Sequence, residues 1–143
     1  MTRPGGGRPL PDYGKKTYTS CLVYNDSGER VSRYDKVHLF DVYLDATKET
    51  YKESETIVAG NEAVVVDTPF GKVGLAICYD VRFPELFRQL IKLGVEIIGI
   101  TSAFTAITGK AHWEILLRAR AVENLCYVVA SAQGGYHVNG RQT

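Results

Sequence analysis

The chain has 143 residues, 45% hydrophobic and 23% charged, which suits one globular domain of ordinary size around one core. Seventeen basic residues against sixteen acidic ones leave a formal net charge of +1, which argues against a nucleic-acid or polyanion partner. No apolar run approaches the ~20 residues of a spanning helix, and the opening residues lack the apolar segment of a secretory signal, so no membrane partner and a cytoplasmic location are expected.

Residues 1–14 hold four glycines and three prolines and read as a loop or frayed end. Thr17 to Tyr24 is rich in β-branched and aromatic residues, and Asn25-Asp26-Ser27-Gly28 is turn chemistry leading to Arg30–Tyr34, so a hairpin is expected with Cys21 packed inside it. In YDKVHLFD, residues 34–41, Lys36 lies among side chains that prefer burial; position alone leaves it a solvated strand-edge lysine or something more. Residues 42–62 are polar and poor in pattern and are expected to form one long loop, with Glu53 and Glu55 solvated in it.

Ala63 to Asp67 and Lys72 to Ile77 bracket the turn Thr68-Pro69-Phe70-Gly71, a second hairpin whose return strand is apolar and delivers Cys78. Pro84 and Glu85 suit the first turn of a helix beginning near Phe83, with Leu86, Phe87, Leu90 and Ile91 inward and Gly94 just past its end. Val95 to Ile100 reads as the next strand, completing a right-handed parallel β-α-β unit. Thr101 to Lys110 is expected as a loop. A second helix should span about His112 to Asn124 with Ile115, Leu116, Ala119 and Val122 inward, followed by a buried strand over Cys126–Ser131. An ion pair between Arg82 and Glu85 is expected near the first helix.

Cys78 thus ends a strand and precedes a helix. Open α/β sheets place ligands at such a strand end, and a strand-to-helix elbow exposes a nucleophile beside backbone amides. Residue type alone equally allows an inert, buried thiol. Cys21, Cys78 and Cys126 lack CxxC spacing, and His38, His112 and His137 form no HExxH pattern, so neither a disulfide framework nor a metal or other cofactor is expected.

Four segments together carry a resemblance: YDKVHLFD, the KES of residues 52–54, GLAICYDVRFPE, and SAFTAITGKAHWEILLRARAVENLCYVVASAQ. With them the chain resembles the carbon-nitrogen hydrolase (nitrilase) superfamily, on the branch that contains deaminated glutathione amidase and ω-amidase. The resemblance implies an α/β fold, an α-β-β-α sandwich incomplete at both ends, within a single partial domain. It implies hydrolysis of a small linear amide with release of ammonia through a cysteine acyl-enzyme, with no cofactor. Cys78 becomes the nucleophile, Lys36 the stabiliser of the tetrahedral oxyanion, and Glu53 an additional glutamate holding lysine and substrate. Tyr79 would lend its backbone amide to the oxyanion hole, and Phe104, Thr105 and Trp113 would wall the substrate site. The helix after the nucleophile and the RARAVEN helix imply a homodimer.

The family's first glutamate, the general base, precedes the first hairpin, and residues 1–28 contain no glutamate, while Glu29 lies in a turn and does not match. The expectation is therefore a piece from the middle of a larger domain, with little activity by itself. Lys36 would then lack its carboxylate partner, at a cost of about 3–5 kcal/mol, and an open sheet edge and apolar face would invite association. Competing expectations are an ω-amidase, a nitrilase or an N-carbamoyl amide hydrolase, or a non-catalytic fragment acting in binding or oligomerisation.

Overall fold

The computed structural model describes residues 16–45, 48–138 and 140–143; the expected loop at residues 1–14 lies outside them. The chain builds a mixed α/β structure, as expected, from eight strands and two α-helices among the described residues. The first hairpin pairs β1 (Ser20–Tyr24) with β2 (Arg30–Asp35), placing Cys21 opposite Tyr34. Its turn is closed by the Asn25 side chain, whose Oδ1 accepts from the amides of Ser27 at 3.0 Å and Glu29 at 2.8 Å, the Asx geometry that favours Asn there.

The long loop expected over residues 42–62 is instead partly a hairpin. Asp41–Leu44 (β3) pairs antiparallel with Glu49–Lys52 (β4), setting Val42 against Tyr51, and a short 3-10 turn over Glu53–Glu55 follows. Val42, Tyr43, Thr50 and Tyr51 carry β-favouring side chains, but each run spans only four residues, too few for alternation to stand out in a polar stretch.

The main sheet has the order β5-β6-β7-β8. Val65–Thr68 (β5) is antiparallel to Gly71–Ile77 (β6), which runs parallel to Ile97–Ser102 (β7), itself parallel to Tyr127–Ala132 (β8). The expected parallel β-α-β unit is thus present, with α1 (Pro84–Lys92) between β6 and β7 and Leu86, Phe87 and Leu90 buried. Gly94, at φ +83°, supplies the left-handed residue that ends α1. Gly74 lets α1 approach the sheet, because a Cβ there would lie 2.8 Å from Val95 Cγ2 and 3.1 Å from Leu90 Cδ1.

Three expectations fail along the last third of the chain. The residues expected as a loop extend β7 to Ser102 and open α2, which spans Ala106–Asn124 rather than starting near His112. Ile115 and Val122, expected inward, are 65% and 75% exposed. The inward line is Trp113, Leu117, Arg120 and Asn124, the 3.6-residue spacing of one helix face. Polar residues occupy it because their donors find partners there: Arg120 Nε bonds the carbonyl of Val81 at 2.9 Å, and Asn124 Nδ2 bonds the carbonyl of Arg120 at 2.8 Å. The last strand, expected to be buried, is mostly exposed, with Tyr127 and Val129 open to solvent.

The core gathers Leu75, Ala76 and Ile77 of β6, Ile98 and Ile100 of β7, the α1 residues, Val81, and Tyr34 from β2. Tyr34 is fully buried and its hydroxyl donates to Asp80 Oδ2 at 2.7 Å, tying the first hairpin to the residues after β6. Burial, and then the Asp80 charge, push the Tyr34 phenol far above its ordinary value. Because the folded value is raised, its contribution to stability is complete below the unfolded tyrosine pKa of ~10 and is lost as pH rises above it. Tyr34→Phe is expected to lower unfolding free energy by about 1.5–3 kcal/mol near neutral pH. Urea unfolding at neutral pH and above pH ~10 should show the gap between wild type and variant narrowing on the alkaline side.

Candidate active site

Cys78 follows the last residue of β6 and opens a 3-10 turn that runs to Arg82. Its φ is +51°, in the left-handed region that a side-chain-bearing residue enters at a cost of about 1–3 kcal/mol. The chain therefore bends sharply between an extended Ile77 and the turn, and the half-buried thiol reaches a cavity at the carboxyl end of the strand.

Asp80 holds this bend. It is 0% exposed, and its Oδ2 accepts from the Ile77 amide at 2.9 Å as well as from Tyr34, while Oδ1 accepts from the His38 amide at 3.0 Å and lies 2.8 Å from His38 Nδ1. A buried carboxylate needs this many partners to repay its lost hydration. The imidazole of His38 also stacks on Phe83, centroids 3.8 Å apart and planes within 6°. From the other side Arg120, 6% exposed, pairs with Glu123, holds the Val81 carbonyl and lies over the Phe87 ring.

Lys36 is 3% exposed, and its ammonium pairs with Glu53 Oε2. That oxygen also accepts from the Phe40 amide at 2.7 Å, and Thr19 Oγ1 lies 3.4 Å from Oε1. The lysine backbone is pinned on both sides, its amide to the Thr19 carbonyl at 2.9 Å and its carbonyl to the Gly60 amide at 2.8 Å. Lys36 is thus neither a solvated edge residue nor a lysine without a carboxylate, and the cost anticipated for an unpaired charge does not arise. Glu53, whose solvated reading came from its place in a supposed loop, turns inward because the β3–β4 hairpin delivers it.

One cavity of about 620 Å³ unites Cys78, Lys36, Glu53, Tyr79, Phe104 and Thr105 in its wall, a size suited to a small molecule. The Tyr79 ring meets Phe40 and Phe83 edge-on at 4.9 and 5.3 Å. Trp113 lies outside the lining and packs behind Phe104, centroids 4.9 Å apart. Arg82 does not pair with Glu85; its guanidinium lies 3.2 Å from His112 Nδ1 and over the Phe104 and Tyr79 rings. Burial pushes both the Cys21 and the Cys126 thiol up. Among the described residues no group of three or more His, Cys, Asp or Glu side chains is arranged to hold a metal ion, and no helix is long and apolar enough to cross a membrane.

Sequence reasoning missed Asp80, Arg120, Tyr51 and Arg141. An acidic residue two positions after an apolar strand was the available signal for Asp80, and a 3.6-residue line shared with Trp113 and Leu117 was that for Arg120. Tyr51 and Arg141 line the same cavity, yet nothing in their local sequence pointed to it.

Residues 5–143 match the carbon-nitrogen hydrolase family. The chain is 50% identical over 125 residues to a deaminated glutathione amidase of Yersinia enterocolitica, covering 87% of this chain and 44% of that protein. It is 48% identical over 147 residues to one of Synechocystis, covering 100% of this chain and 54% of the relative. The chain therefore spans about half the length of the curated relatives it matches. Among solved structures it superposes on the NitFhit protein of Caenorhabditis elegans with a TM-score of 0.84 at 48% identity, covering 93% of this chain and 32% of that one. An amidase from Nesterenkonia sp. AN1, in a form with acrylamide added to its active-site cysteine, gives 0.75 at 26% identity, covering 90% of this chain and 47% of its own. On this evidence of sequence and architecture together, the chain belongs to the carbon-nitrogen hydrolase family.

Proposed function

We propose that the chain forms part of one amidase domain that hydrolyses a small linear amide through a cysteine acyl-enzyme, with a deaminated glutathione-like compound as substrate. The observation that carries this reading is the shared cavity: a thiol on a left-handed elbow opens into the same space as a buried Lys36–Glu53 pair. In the reaction, Cys78 sulfur bonds to the amide carbon and the carbonyl oxygen takes up negative charge. The Lys36 ammonium and the Tyr79 amide stabilise that charge, and Glu53 orients the lysine. The C–N bond then breaks, the amine leaves with a transferred proton, and water cleaves the thioester to the free acid.

The general base is the weak point of this set. Glu53 is the one carboxylate among the described residues of the wall, and it is committed to Lys36 and to the Phe40 amide. With its Oε2 engaged by the Lys36 ammonium and the Phe40 amide, Glu53 is placed to hold the lysine and not to serve the thiol, so turnover by this chain alone should be low. The name shared by the Yersinia and Synechocystis relatives favours deaminated glutathione over α-keto-amide dicarboxylates, nitriles or carbamoyl amines. Free thiols at all three cysteines suit a reducing, cytoplasmic setting.

A homodimer is part of the proposal. Ile115, Val122 and Leu125, the last 94% exposed, form an apolar stripe along α2 and its end, continued by Tyr127 and Val129 on β8. Such a stripe fits association better than solvation. Val122→Asp is expected to shift the chain from dimer to monomer in sedimentation velocity.

Two further outcomes test the chemistry. Acrylamide should add to Cys78 well before Cys21 or Cys126, read by peptide mass spectrometry, because burial disfavours the thiolates of the latter two. Release of the amine product from deaminated glutathione, slow in the wild-type chain, should vanish in Cys78→Ala and fall about 10²- to 10³-fold in Lys36→Met. Release that survives Cys78→Ala removes the amidase reading and leaves the alternative of a non-catalytic partner.

A further inference from the structure

Glu53 opens the short turn Glu53–Glu55, and a turn of three residues has too few internal bonds to hold itself. The Lys52 side chain, in the position from which a cap would act, makes no bond to it. The amides at its start are held from another strand. Asp41, the first residue of β3 and opposite Lys52 in the β3–β4 pairing, accepts from the Ser54 amide through Oδ1 at 3.0 Å. Its neighbour Phe40 takes Glu53 twice, the amide donating to Oε2 at 2.7 Å and the carbonyl accepting from the Glu53 amide at 3.4 Å. On the far side of the turn, Lys16 Nζ donates to the Ser54 carbonyl at 2.8 Å. The end of YDKVHLFD thus grips the KES segment.

Asp41 is exposed and stands outside the cavity wall, so it acts on a bound molecule only through other residues. Hydrogen bonds from the Ser54 side chain, and then from the Ser54 amide, hold its carboxyl below the usual carboxylate range, and the Lys52 charge acts in the same direction. The group is ionised at neutral pH, which makes its bond to the Ser54 amide a charge-assisted one.

We infer that Asp41 is a positioning residue for the reaction: by holding the Ser54 amide it fixes Glu53, and through Glu53 the Lys36 ammonium, at the cavity wall. The reaction rests on the amidase reading, and the hold rests on geometry alone. Lys36 is 3% exposed and paired with Glu53, so a turn that shifts carries the ammonium out of place or opens it to solvent. An oxyanion is stabilised by donors fixed in advance, and a displacement of about 1 Å costs about 100-fold in rate. Loss of the Asp41 contact alone is a smaller disturbance, because both Phe40 bonds to Glu53 remain.

Two measurements on the whole chain test this. Brief acetylation with acetic anhydride in the Cys78→Ala background, read by peptide mass spectrometry, reports how often the Lys36 amine opens to solvent. Asp41→Ala is expected to raise Lys36 labelling about 2- to 10-fold, as the loss of one net hydrogen bond implies, with the partly exposed Lys72 unchanged as reference. Asp41→Asn, whose side-chain oxygen still accepts from the Ser54 amide, should recover most of the protection. In the Cys78-containing chain, amine release from deaminated glutathione should fall by a similar factor in kcat with KM unchanged. Asp41→Glu keeps the charge but displaces the oxygen, so it is expected to behave like Asp41→Ala and carries the test where that variant does not fold. Unchanged Lys36 labelling in Asp41→Ala, an equal rise at Lys36 and Lys72, equal damage in Asp41→Asn and Asp41→Ala, or a loss confined to KM overturns the inference. Absence of amine release from the Cys78-containing chain removes the amidase reading instead, and the labelling alone then decides whether Asp41 fixes the pair.

Discussion

A single buried carboxylate organises the centre of this protein. Asp80 receives the Tyr34 hydroxyl, the Ile77 amide and the His38 amide, and touches the His38 ring. It thereby joins β2, the chain that follows β2 and the end of β6 at one point. An ionised group without water is tolerable only when its lone pairs are filled by fixed donors. Once filled, they resist any shift of those three segments. The left-handed backbone of Cys78 lies between two of these anchors, and its strain persists because the residues on either side are held in place.

The Lys36–Glu53 pair depends on that frame. Lys36 lies one residue beyond β2 and two before His38, so the latch that fixes His38 also limits where the ammonium reaches. Glu53 arrives from the β3–β4 hairpin and is caught by the Phe40 amide. In so sheltered a setting the mutual attraction of the two charges offsets their desolvation only when the geometry is good and the remaining lone pairs are engaged. Both conditions hold here, which is why a lysine can sit beside the cavity almost wholly removed from solvent.

The helix α2 shows how tertiary contacts override pattern. Its apolar residues at 115 and 122 and its polar ones at 120 and 124 are both at helical spacing, and either line could have faced inward. The polar line won because the turn after Cys78 presents an open carbonyl at Val81, which needs a donor, and the Phe87 ring offers a face to the guanidinium. A reading by hydrophobicity assigns the opposite face. The stripe left outside is the one that suits association, so a single choice of face shapes both the elbow and the outer surface.

Local sequence determined what depends on neighbours along the chain: both flanking hairpins, the Pro84 start and Gly94 end of α1, the β-α-β unit, and the position of Cys78 at a strand's carboxyl end. Turn residues, apolar runs and capping residues act over a few positions and are visible there. The motif set also carried the family, and with it Lys36, Glu53 and Tyr79 as residues to look for. Only the tertiary structure decided that Lys36 and Glu53 meet, that Trp113 stands behind Phe104 and outside the cavity, that Asp80 and Arg120 clamp the elbow, and that Arg141 faces the same space as the thiol. Each of those facts joins segments distant in sequence. For Lys36, Asp80 and Arg120 the physical cause is a buried charge finding partners on other elements, and the identity of those partners is not written in the residues on either side.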